Sequence, residues 1–141
     1  MTVETLNDQQ GRPKSARVID FILAAFLRLL SIVFFLGAIY TWLTIVGFWP
    51  GENFRFDTMP VHLKVYSAVM AVILPAASVG LWTTMAWGRV IWFFVIAFQS
   101  VSIMRFGDSL AMPELILIAH FSALFIYLMI QLLLYFIDKK A

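Results

Sequence analysis

Cysteine is absent from the 141 residues. Its absence excludes disulfides, thiolate metal sites, cysteine nucleophiles and attachment of a diacylglyceryl group. Charge is scarce too: Asp, Glu, Lys and Arg make up 13% of the chain, and the net charge of +2 is too small to indicate a nucleic-acid partner. The opening stretch "MTVETLNDQQGRPKSAR" lacks the apolar core and small-residue cleavage site of a signal peptide. Residues 1–16 therefore read as a flexible cytoplasmic tail. No nucleophile–base pair and no acidic metal motif occurs, so neither an enzyme nor a bound cofactor is expected.

What is present is apolar. Hydrophobic residues make up 62% of the chain, against roughly half in a soluble domain, and lipid is the natural solvent for the excess. A helix crosses the hydrocarbon core with about 20 apolar residues, and four runs meet that requirement, at about 18–48, 61–84, 90–105 and 114–137. The first exceeds one bilayer, which puts its opening turns, "VIDFILAAFLR", at or below the cytoplasmic interface. Gly47 and "WPGENF" end it. Pro60 precedes the second run and Pro113 the fourth, as suits helix starts. "MAWGR" and "FGDSLAMP" make the remaining connections. The expected fold is all-α, an integral membrane antiparallel four-helix bundle over residues 17–141.

Lys and Arg near the helix ends set the orientation. With the N-terminus inside, Arg12, Lys14, Arg17, Arg28, Arg89, Lys139 and Lys140 are cytoplasmic, and Arg55, Lys64 and Arg105 are outside. Seven of the ten basic residues on one side place both termini in the cytoplasm.

Polar residues inside lipid must face protein or water. On the fourth helix His120, Tyr127, Gln131 and Asp138 fall within about 20° of one direction at about 100° per residue. Glu114 lies about 120° away, so it does not share a face with His120. The second helix carries a stripe of Lys64, Ala68, Ala71, Pro75, Ser78 and Trp82 within about 40° of one direction, and small residues there permit close helix approach. Pro75 removes one helical hydrogen bond and leaves a carbonyl near Ala71 to find another donor. Asp20, Ala24, Leu27, Ser31, Ala38 and Trp42 form a similar face on the first helix. On the third, Trp92 and Gln99 align, with Ser102 nearby.

Glu52, Arg55, Asp57, His62, Lys64, Arg105, Asp108 and Glu114 gather at the outer side as helix-end caps and snorkelling groups. His120 lies deeper and is expected to be buried, neutral and hydrogen-bonded to Gln99, Tyr40 or a backbone carbonyl. His62 and His120 are the only histidines and the only imidazoles that could hold a haem or metal, though they carry no signature spacing. Arg28 near the interface snorkels to lipid phosphate; if set deeper, it would need a buried acid such as Asp138. Midspan groups suited to transport reduce to Gln99, Gln131, Tyr127, Ser31 and Ser78, with no central acid or base.

The layout from "ARVIDFILAAFLRLLSIVF" through "GFWPGENF" to the "DKK" ending resembles small four-span inner-membrane proteins of uncharacterised function of alphaproteobacterial type, over residues 17–138. The resemblance implies a bacterial inner membrane and supplies no catalytic residues. The expected role is a non-enzymatic scaffold or accessory subunit, with the lipid bilayer and a membrane-protein partner or further copies of the chain as its surroundings. The alternative is a small-molecule or ion-handling membrane protein, or a haem- or metal-binding subunit using His62 and His120.

Overall fold

The structure, a computed structural model, describes residues 14–48, 56–110 and 112–140. The expectations for tail residues 1–13, for "WPGENF" and for the Arg55 charge lie outside the described residues. Among the described residues there is no strand. Four long helices carry the chain: α1 (Lys14–Ile45), α2 (Val61–Trp82), α3 (Ala86–Phe106) and α4 (Pro113–Lys140), with a short 3-10 turn at Gly107–Ser109.

Local chemistry accounts for the boundaries. No glycine or proline separates Lys14 from the apolar run, and α1 starts there, inside the stretch read as tail. It stops where Gly47 takes φ +73. The Phe48 N–H then donates to Leu43 O at 3.0 Å and the Gly47 N–H to Thr44 O at 3.2 Å, the paired closure of a Schellman motif. The same closure ends α2, with Met85 N–H on Gly80 O at 3.2 Å and Thr84 N–H on Leu81 O at 3.0 Å. Here the left-handed position is taken by Thr84, at φ 56, a conformation a β-branched residue rarely adopts. So tight a closure leaves only Thr83, Thr84 and Met85 between α2 and α3. That is why α3 begins at Ala86 rather than near residue 90. Pro113 occupies the first position of α4, where its missing N–H costs no helical bond.

The chain divides into two compact units, one comprising Met1–Phe26 with Ile118–Ala141 and the other Leu27–Leu117. In the Leu27–Leu117 unit α1 and α2 run antiparallel, with Ser31 meeting Ser78, Gly37 facing Leu74 and Trp42 reaching Ala71. α2 and α3 are antiparallel as well: Gly80 abuts Gly88, Tyr66 meets Gln99, and His62 meets Phe106. The buried line of α2 is Leu63, Ser67, Met70, Leu74, Ala77 and Leu81. Of the small-residue stripe expected to face inward, Ala71 and Ser78 are buried but Ala68 and Trp82 are exposed. The reason is geometric. Ala71 and Ser78 form the flank towards α1, while His62, Tyr66 and Gly80, roughly 150° round the helix, form the flank towards α3. Large apolar side chains fill the sector between. α3 answers with Trp92, Val95, Ile96, Gln99 and Ser102 buried at helical spacing.

In the other unit the buried positions of α4 are His120, Ala123, Ile130 and Leu134, and Ala16 of α1 is fully enclosed. Tyr127 and Gln131 are half-buried and Asp138 is exposed. Large apolar side chains also face outward along the helices: Phe21, Leu29, Leu36, Val72, Val101 and Phe125 are all exposed.

Candidate functional site

Ring closure at Pro75 removes the N–H that would have bonded the carbonyl of Ala71, one turn earlier. That carbonyl accepts instead from the Trp42 indole of α1, Nε1 to O 3.2 Å. α2 continues helical through the proline, so the notch becomes an attachment point between helices. Two turns further on, Ser31 Oγ donates to Ser78 O at 2.8 Å and Ser78 Oγ donates to Ser31 O at 3.0 Å. The two hydroxyl oxygens lie 3.2 Å apart. Each serine serves the other helix's backbone, which requires the backbones to come close and is possible because both residues are small.

Gln99 of α3, buried, donates through Nε2 to the Tyr66 hydroxyl at 3.1 Å. Tyr66 is a residue the sequence reading passed over. It stacks on Phe98 at 6.0 Å and meets Phe106 edge-on at 6.2 Å, so an aromatic group fastens the polar pair. In the Met1–Phe26 and Ile118–Ala141 unit, Gln131 Nε2 donates to Tyr127 OH at 3.1 Å. The Thr41, Thr44 and Ser102 hydroxyls turn back on their own helices, to Gly37 O, Tyr40 O and Phe98 O.

His62 is exposed at the start of α2 with its ring 5.0 Å from that of Phe106. His120 is buried and belongs to the other unit. Among the described residues no group of three or more His, Cys, Asp or Glu side chains is placed to hold a metal ion. Lys64 Nζ donates to Asp57 O at 3.0 Å, a tie that closes the start of α2. Arg28 is exposed, its guanidinium carbon 6.0 Å from the centre of the Trp82 ring. With Ser31 opposite Ser78, this sets Arg28 level with the last turn of α2.

Between α1 and α2 at that level runs an open groove of about 280 Å³, walled by Ile32, Phe35, Val79 and Trp82 over the paired serines. Gly80 and Gly88 close the other flank: a Cβ on either would overlap the backbone of the other. This contact had a legible signal, since both glycines stand four residues from Thr84, the centre of the turn.

These features define an all-helical protein whose four helices are each long and apolar enough to cross a membrane. Residues 21–138 match the model of a family of unknown function, DUF6163, and the chain belongs to that family. Neither the curated proteins nor the solved structures contain a match to the chain.

Proposed function

We propose that the protein is a non-enzymatic integral protein of a bacterial inner membrane. It crosses four times with both termini in the cytoplasm and acts as a scaffold or accessory subunit of a larger membrane assembly. The observation that carries this reading is where the polar side chains are spent. Ser31, Ser78, Trp42, Gln99, Tyr66, Gln131 and Tyr127 are engaged in ties between or within helices, while long apolar faces stay outward. A solute path would instead call for midspan polar groups with bonding capacity left for the solute, whereas both serine hydroxyls at the α1–α2 groove already donate to backbone carbonyls. The excess of Lys and Arg near the chain ends, with Lys14, Arg17 and Lys139 beside the first and last helices, supports the cytoplasmic assignment of both termini.

Gentle extraction from the native membrane followed by native mass spectrometry tests the role. A stoichiometric protein partner is expected. A lone protomer, or one carrying a haem absorption band, would sink the proposal and return attention to His62 and His120. Topology has its own test: the chain contains no cysteine, so single cysteines placed at Lys139 and at Asp108 should label from opposite faces of the membrane.

A further inference from the structure

We infer that the groove between α1 and α2 seats one anionic phospholipid, with an acyl chain along Ile32, Phe35 and Val79 and the phosphate at Arg28. The inference rests on the membrane reading above and goes beyond it by assigning a ligand.

Shape comes first. Arg28, Ile32 and Phe35 stand at i, i+4 and i+7, so they form one row along α1, and Val79 and Trp82 form the facing row on α2. The walls are exposed, from 50% for Ile32 to 59% for Val79, and the floor serines are buried at 3% and 6%. Both serine hydroxyls donate across the helix pair. The floor therefore has no hydroxyl proton left to offer a ligand, and it meets an acyl chain as an apolar surface.

Charge selects the head group. Among the described residues no carboxylate pairs with Arg28; the contact it makes is with the face of Trp82. Such a cation–π contact holds the guanidinium at the groove's mouth while leaving its N–H edge free for bidentate bonds to phosphate oxygens. The basic residues at this end of the unit are Arg28 and, in the first turn of α3, Arg89. The described acids of the same unit, Asp57, Asp108 and Glu114, stand at the opposite end, by the start of α2, the 3-10 turn and the start of α4. Within the unit the described charges at this end are thus both basic, with Asp20 two turns away along α1, about 12 Å, and a phosphate with net negative charge is the complement. Trp82 beside the arginine is the residue type that favours the head-group level.

The test uses the full-length protein in mild detergent, titrated with dioleoylphosphatidylglycerol or dioleoylphosphatidylcholine and read by native mass spectrometry. One phosphatidylglycerol should be retained, in preference to phosphatidylcholine. Arg28→Gln should weaken phosphatidylglycerol binding about five- to tenfold, the scale of one arginine near a lipid phosphate, while Arg28→Lys retains most of it. Ile32→Trp, which fills the groove, should weaken both lipids alike, and Arg105→Gln at the far end should change neither. Wild-type binding in both Arg28→Gln and Ile32→Trp, with circular dichroism showing each still helical, would overturn the inference. So would displacement of the lipid by millimolar inorganic phosphate, or capture of a protein crosslinked at Phe35. Flotation with lipid vesicles separates the two ideas. A protein that fails to float overturns the membrane reading, whereas one that inserts but shows unaltered variants overturns only the lipid seat.

Discussion

Replacing Trp42 by phenylalanine removes the donor that serves the carbonyl released by Pro75, and the structure says when that loss should matter. In the wild-type chain Ala71 O accepts from Trp42 Nε1 at 3.2 Å. Without the indole, the carbonyl has no helical N–H to fall back on. Interhelical hydrogen bonds in membrane proteins average about 0.6 kcal/mol and reach about 1.7, and an abandoned buried carbonyl costs about 1–3 kcal/mol. The indole is half exposed, so about 1 kcal/mol is the expected value for the bond. Losing part of the ring adds a packing cost, which a double-mutant cycle subtracts. Pro75→Ala supplies an amide N–H that bonds Ala71 O inside α2 and makes Trp42 redundant. Trp42→Phe should then destabilise the wild type by about 1 kcal/mol more than it destabilises the Pro75→Ala protein. Unfolding in mixed micelles by sodium dodecyl sulfate, followed by circular dichroism, reads all four corners of the cycle. Equal costs in the two backgrounds would refute the claim that indole and proline act on one carbonyl.

Other perturbations test other ties. Gly88→Ala should destabilise by about 2–3 kcal/mol, at the upper end for overpacking, because the obstacle is the Gly80 backbone rather than a side chain that can turn away; a loss under about 0.5 kcal/mol in the same assay would contradict that contact. Thr84→Gly should stabilise by up to about 1 kcal/mol, since glycine takes a positive φ without a Cβ penalty, offset by its unfolded-state entropy. Unchanged or lower stability would show that Thr84 is not strained. Gln99→Leu should cost about 1–2 kcal/mol by stranding the Tyr66 hydroxyl, and adding Tyr66→Phe should recover part of it. Purely additive costs would deny the pairing.

The elements were legible because the bilayer length requirement acts on composition alone, and four apolar runs satisfy it without reference to one another. The carbonyl freed by Pro75 was legible for a similar reason, as a covalent property of proline that holds in any helix. Its donor was not: Trp42 lies 29 residues away, and which side chain of α1 arrives there depends on the register between two helices. Rotation was the weaker inference. A small-residue stripe marks a possible close approach, but α2 is contacted on two flanks, and its buried centre falls on Leu63, Met70 and Leu81 instead. Tyr66 escaped notice because it aligns with no polar stripe on its own helix; its role exists only once Gln99 is opposite. On α4, His120 is buried, while the polar row it heads drifts outward, through half-buried Tyr127 and Gln131 to exposed Asp138.

The glycine contact at the α2–α3 turn also bears on the order in which the molecule assembles. Gly80 and Gly88 are eight residues apart in the chain, whereas the serines joining α1 to α2 are 47 apart. By the logarithmic growth of loop-closure entropy, the second junction costs about 1.6 kcal/mol more to close than the first. The α2–α3 hairpin is therefore the natural seed, able to form from local sequence as a pre-folded pair. α1 acquires its serine and tryptophan ties only by docking onto a hairpin already made.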